Sequence, residues 1–156
     1  MTRTVLVVED NPDEMEITRE TLTEAGFAIG TASNGVDALK KVRTVPPDVI
    51  LLDAVMPGLS GFAVCETLRE NPATSSIPIL MLTGLSSHIS QITAFESGAT
   101  DYLIKPFVLE ELVFKVKKLL DKVDKADQLA AEQKKLASQD SSCLHEWLSQ
   151  APSGGE

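Results

Sequence analysis

Cysteine is scarce in this chain. Cys65 and Cys143 are the two present in 156 residues, far apart and in no CxxC pair. That gives no support to a disulfide framework and favours a reducing compartment. Basic residues are also few. The 14 Lys and Arg against 23 Asp and Glu leave a formal net charge of −9. This argues against nucleic acid as a direct partner, because phosphate binding needs clustered Lys and Arg, but it is compatible with a basic protein partner. No apolar run approaches the ~20 residues needed to span a bilayer. The opening Met1-Thr2-Arg3-Thr4 offers no secretory h-region, so the expected location is the cytoplasm. His88 and His145 have neither metal-ligand nor triad spacing. The chain shows no internal repeat beyond the alternation described next.

What the chain does have is four short apolar runs that end in reactive polar residues. Val5-Leu6-Val7-Val8 runs into Glu9-Asp10, and Val49-Ile50-Leu51-Leu52 ends on Asp53. Ile79-Leu80-Met81-Leu82 ends on Thr83, and Tyr102-Leu103-Ile104 ends on Lys105. Runs this short and apolar read as strands buried on both faces, as in a parallel sheet. In such a sheet the ligand site lies outside the carboxyl ends of the strands. Three carboxylates, a hydroxyl and an ammonium are thereby expected at one rim.

Helical segments separate the strands. Asn11 is a cap and Pro12 fits the first turn of a helix carrying Met15, Thr18, Leu22 and Ala25, ended by Gly26. Ala28 to Ala32 is a weaker strand. Val36, Leu39 and Val42 give a second helix, stopped by Pro46-Pro47. A third helix is expected over Ser60–Glu70, with Cys65 as an inert core residue. The next strand is expected to begin at Pro78, and a fourth helix to run from Ser86 to Ser97. A final helix carries Leu112, Val116, Leu119 and Val123. Five βα units specify a three-layer α/β domain, doubly wound, with right-handed crossovers. The globular part is expected to occupy 1–124. Residues 125–156 read as a helical extension of the last helix followed by a disordered end, with Leu144, Trp147 and Leu148 as a small apolar face.

Glu9, Asp10 and Asp53 gathered within about 5 Å would repel by ~3 kcal/mol per pair at an effective dielectric near 20. Such a cluster is tolerable only if a cation or a proton occupies it. All-oxygen ligation favours a hard ion, and magnesium suits phosphate chemistry. A phosphoryl group among Asp53, magnesium, Thr83 and Lys105 would have a partner for every oxygen, and a carboxylate can itself be the nucleophile. Taken singly, each residue has a blander role: helix capping for Glu9 and Asp10, a turn for Thr83, a solvated ammonium for Lys105, core for Tyr102. The weight lies in the ensemble.

Glu9-Asp10-Asn11, the run from Asp53 through Val55, Met56, Pro57 and Gly58 to Gly61, then Thr83-Gly84, then Tyr102-Leu103-Ile104-Lys105-Pro106-Phe107 together resemble the receiver domain of two-component response regulators. The resemblance covers roughly Thr4 to Asp124. It implies a five-stranded parallel sheet in the order 2-1-3-4-5 flanked by five helices, an order also found in a chemotaxis member of the family. It implies Asp53 as phosphoacceptor and Mg2+ as cofactor. The ion would be held directly by Asp10, Asp53 and the backbone carbonyl of Val55, and through water by Glu9. Lys105 would pair with the phosphate, its bond to Pro106 being cis. Thr83 would be the switch hydroxyl and Tyr102 the aromatic that turns inward behind it. The face made by the fourth helix, fifth strand and fifth helix would report the change to a protein effector, and that face or the helical tail would serve a homodimer.

Val55 and Leu85, two beyond Asp53 and Thr83, flank the path of the hydrolytic water in this family. Both are apolar, so slow self-dephosphorylation is expected. The leading expectation is a signalling switch, charged by a sensor histidine kinase, a phosphotransfer protein or a small phosphodonor, and not a turnover enzyme. Thirty-odd residues after the receiver are too few for a DNA-binding or enzymatic output domain, which points to protein–protein output. The alternatives are a metal-dependent phosphohydrolase with an aspartyl-phosphate intermediate and a phosphorylation-independent interaction module. The first lacks a second Asp at position 55, and the complete acid set argues against the second.

Overall fold

A computed structural model describes residues 2–84 and 88–125, with Leu129, Glu132 and Gln133. The order is β1 (Thr4–Val8), α1 (Pro12–Glu24), β2 (Ala28–Ala32), α2 (Gly35–Thr44), β3 (Val49–Asp53), α3 (Gly61–Glu70), β4 (Ile79–Thr83), α4 (His88–Glu96) and β5 (Asp101–Ile104). Residues 109–125 are also helical and are called α5. Two compact units cover 1–120 and 121–156. In the first, five parallel strands form one sheet in the order β2-β1-β3-β4-β5. The doubly wound α/β fold expected from the alternation is therefore present.

Side-chain alternation along the strands separates two cores. Leu6, Val8, Ile50, Leu52, Ile79 and Met81 pack against α2, α3 and α4 through Ala38, Val42, Val64, Leu68 and Ala94. Val5, Val7, Val49, Leu51, Leu80 and Leu82 pack on the other face against Leu22 of α1 and Leu112, Val116 and Leu119 of α5. Every residue of β3 and β4 is buried. A fully buried aliphatic side chain contributes roughly 1.5–3 kcal/mol, which is why the central strands carry no polar residue until their last positions. The edge strand β2 alternates exposed and half-buried residues, and Lys41 of α2 donates to its Thr31 carbonyl. A lysine over an edge strand discourages pairing with another chain.

Helix ends follow the capping residues. The Asn11 side chain accepts from the backbone N–H groups of Asp13 and Glu14, at 2.9 and 3.2 Å. Asn34 and Ser60 cap α2 and α3 from outside, so α3 begins one residue later than expected. Pro78 likewise precedes β4, its carbonyl accepting from Ile50 N–H at 3.0 Å. In α2 Leu39 and Val42 pack on the core as expected, Ala38 is buried beside them, and Val36 is exposed. Of the expected fourth helix, Ser86 lies outside the described residues. The expected continuation beyond 125 and the apolar face of Leu144, Trp147 and Leu148 also lie outside them, apart from the three isolated positions. Among the described residues, no helix is long and apolar enough to cross a membrane.

Candidate phosphoacceptor and metal site

The sheet register assembles the rim. Val8 lies opposite Leu52, Asp53 opposite Leu82, and Thr83 opposite Ile104. The residues at or just beyond these strand ends therefore converge, and Lys105 N–H donates to the Thr83 carbonyl at 2.7 Å. Carboxylate oxygens of Glu9, Asp10 and Asp53 all lie within 4.8 Å of one another. Glu9 and Asp53 are buried, at 4% and 6% exposure, while Asp10 is exposed. The acids that sequence placed together are together.

Lys105 is the cation bonded to this cluster. Its Nζ donates to Glu9 Oε2 at 3.2 Å and to Asp53 Oδ2 at 3.3 Å. A third partner, Glu14 Oε2 at 3.0 Å, was not foreseen. Burial pushes the Glu9 carboxyl up from 4.5 to about 8, and the adjacent Asp53 carboxylate adds to this; Asn11 N–H and Lys105 oppose it. Burial pulls the Lys105 ammonium down, but Glu14, Asp53 and Glu9 outweigh burial and hold it above the ordinary lysine value. One ammonium does not balance this many acids, and this favours the protonated form of the Glu9 carboxyl. Three clustered carboxylates with an exposed member open to solvent fit a hard ion that keeps some of its waters.

Thr83 is fully buried at the end of β4. Tyr102 is half-buried and stacks edge-on against exposed Phe95 of α4, with ring centroids 5.4 Å apart and planes at 83°. Val55 is 62% exposed, and its backbone N–H donates to Asp53 Oδ1 at 3.2 Å. Leu85 lies outside the described residues. The Lys105–Pro106 bond is cis. Gly61 holds the Asp53 loop closed: its N–H donates to the Ala54 carbonyl at 3.0 Å, and a Cβ there would sit 2.2 Å from the Asp53 carbonyl oxygen. Burial pushes the Cys65 thiol up to about 11, in keeping with an inert core residue.

Residues 5–117 match the response regulator receiver domain. The chain belongs to this family. Among curated relatives, the DNA-binding dual master transcriptional regulator RpaA of Synechocystis is 37% identical over 126 residues, covering 81% of this chain and 52% of RpaA. Among solved structures, the Vibrio cholerae chemotaxis protein CheY4 gives a TM-score of 0.73 at 33% identity, over 76% of this chain and 99% of CheY4. The signal receiver domain of a signal transduction histidine kinase from Syntrophus aciditrophicus gives 0.74 at 34% identity, over 78% and 92% of the two chains. This receiver-containing chain spans about half the length of the curated relatives it matches.

Two features of this receiver were missed by sequence reasoning. Glu14 stands third after the Asn11 cap, on the turn whose side chains point back toward the rim, and that spacing was the available signal. Arg69 donates to the carbonyls of Gly98, Ser75 and Ile77 at 2.7, 2.9 and 2.7 Å, tying α3 to the segments before β5 and β4. Carbonyl acceptors have no signature in a sequence.

Proposed function

We propose that this chain is a phosphorylation-activated switch of two-component signalling in which Asp53 is the phosphoacceptor. The observation that supports this most strongly is the placing of Asp53 within reach of two other acids and of Lys105 at the carboxyl rim of the sheet. A carboxylate oxygen of Asp53 attacks phosphorus of a phosphohistidine or an acyl phosphate. The new P–O bond forms as the bond to the donor breaks, and the donor leaves with its electron pair. Mg2+, when bound, would neutralise charge on the phosphoryl oxygens. Asp10, Asp53 and the Val55 carbonyl would hold it directly, and Glu9 through water.

Thr83 and Lys105 then bind the phosphoryl oxygens, and Tyr102 turns inward behind Thr83. The phosphorylated state favours that arrangement because the new bonds exist only there. The α4–β5–α5 face carries the change to a downstream protein, with a sensor histidine kinase or phosphotransfer protein as donor, in the cytoplasm. The same face or the tail would serve a homodimer. The receiver extends to Asp124 and 125–156 form an appended segment. Apolar Val55 and Leu85 leave the attacking water unoriented, so the phosphoryl group is long-lived; loss within seconds in magnesium buffer would contradict this. A phosphohydrolase would need an acid where Val55 stands.

The test is incubation with acetyl phosphate and Mg2+, followed by intact mass measurement. One phosphoryl adduct per chain is expected, absent in Asp53→Asn. Steady hydrolysis of generic phosphate esters, or an adduct that persists in Asp53→Asn, would overturn the reading.

A further inference from the structure

The Lys105 ammonium has three N–H bonds, and three carboxylates take them: Glu14 at 3.0 Å, Glu9 at 3.2 Å and Asp53 at 3.3 Å. Its donor set is full before any phosphoryl group arrives. Glu9 and Asp53 belong to the three-acid cluster and have a second use there. Glu14 does not belong to it. Nor does Glu14 serve its own helix in the way its position suggests. Asn11-x-x-Glu14 has the spacing of a capping box, in which the acid reaches back to the cap's backbone N–H. Here that N–H donates instead to Glu9 Oε1 at 3.2 Å. The Glu14 carboxylate faces Lys105 first and the Glu9 carboxyl second, with its side chain 48% exposed against 23% for the lysine. Both residues line a cavity of about 330 Å3 beside α1, together with Thr18, Leu82 and Phe107.

We propose that Glu14 is a positioning residue that competes with the incoming phosphoryl group for the Lys105 ammonium, so that the Glu14–Lys105 ion pair restrains activation. This rests on Asp53 being the phosphoacceptor. An oxygen of the group on Asp53 requires one of the three Lys105 N–H bonds, and Glu14, outside the three-acid cluster and the most exposed of the three partners, is the one that yields it. A half-exposed carboxylate regains water when it lets go, which makes the exchange reversible and its effect modest.

The test is beryllofluoride binding in Mg2+, measured by calorimetry on the full chain, for wild type, Glu14→Gln and Glu14→Asp. Glu14 is on an exposed turn, so neither variant threatens folding, and unchanged ligand-free melting temperatures check this. Aspartate keeps the charge but is one methylene too short to hold Lys105. Both variants are expected to bind beryllofluoride about threefold more tightly than wild type. Glu14→Asp should leave Mg2+ affinity, measured without fluoride, unchanged, which a merely structural change would not do selectively. Tightening in Glu14→Gln alone would mean a through-space charge effect and overturn the ion-pair restraint. Unchanged or weaker binding in both variants would overturn it too. If wild type itself takes up no beryllofluoride, the phosphoacceptor reading falls, and the restraint with it.

Discussion

Strand β3 has an aspartate at each end, and the two are built in opposite ways. Asp48, just before the strand, accepts from Thr4 N–H at 2.8 Å, from the Thr4 hydroxyl at 3.1 Å and from Arg3 at 3.5 Å. Its charge meets one cation and its oxygens meet donors from β1. Asp53, five residues on, meets two further acids and shares one lysine with Glu9 and Glu14. The first is an acid whose partners are complete, and it clamps β1 to β3. The second is an acid whose surroundings are short of positive charge, and an unmet charge is what can bind a metal or accept a phosphoryl group. Residue type does not distinguish them, and each meets one cation; the number of other acids sharing that cation does.

Neutralising the two acids in turn breaks the comparison most forcefully. Asp53→Asn should abolish labelling by acetyl phosphate and raise the metal-free melting temperature, because it removes one charge from a repelling cluster. Asp48→Asn should leave labelling intact. Equal loss of labelling in both variants would end the distinction. Gly61→Ala is the next largest. The added Cβ meets backbone at the Asp53 end alone, so unfolding free energy should fall by about 1–3 kcal/mol in urea melts, with labelling impaired as well.

Asp48→Ala should cost about 1–3 kcal/mol in the same melts, since Thr4 N–H loses its side-chain acceptor, with Mg2+ affinity unchanged. The smallest effect is on pH dependence. Burial beside Asp53 lifts Glu9 from 4.5 to about 8, so the folded chain holds a proton that the unfolded chain releases. The stabilising contribution is full below pH 4.5 and is lost as pH rises through about 8. Melting temperature should decline across that window without metal. Millimolar Mg2+ should flatten the decline by favouring the ionised acids, and Asp53→Asn should also flatten it. A decline unaltered by either would place its origin elsewhere.

The strands and the convergence of Glu9, Asp10, Asp53, Thr83 and Lys105 could be read from sequence, because buried parallel strands write themselves as apolar runs and their ends carry the site. The resemblance supplied the strand order. Two kinds of feature escaped. Boundaries shifted by a residue at Ser60 and Pro78, where a residue outside an element still bonds into it. Side-chain partnerships across long separations, Glu14 with Lys105 and Arg69 with the Gly98 carbonyl, depend on how α1 and α3 are seated, which no local pattern records.

Magnesium titration by calorimetry at neutral pH tests the central claim most directly. The shortage of positive charge around Asp53 predicts one ion bound per chain at millimolar concentration or below, with binding lost in Asp53→Asn and kept in Asp48→Asn. No uptake at millimolar magnesium, or uptake that survives Asp53→Asn unchanged, would contradict it.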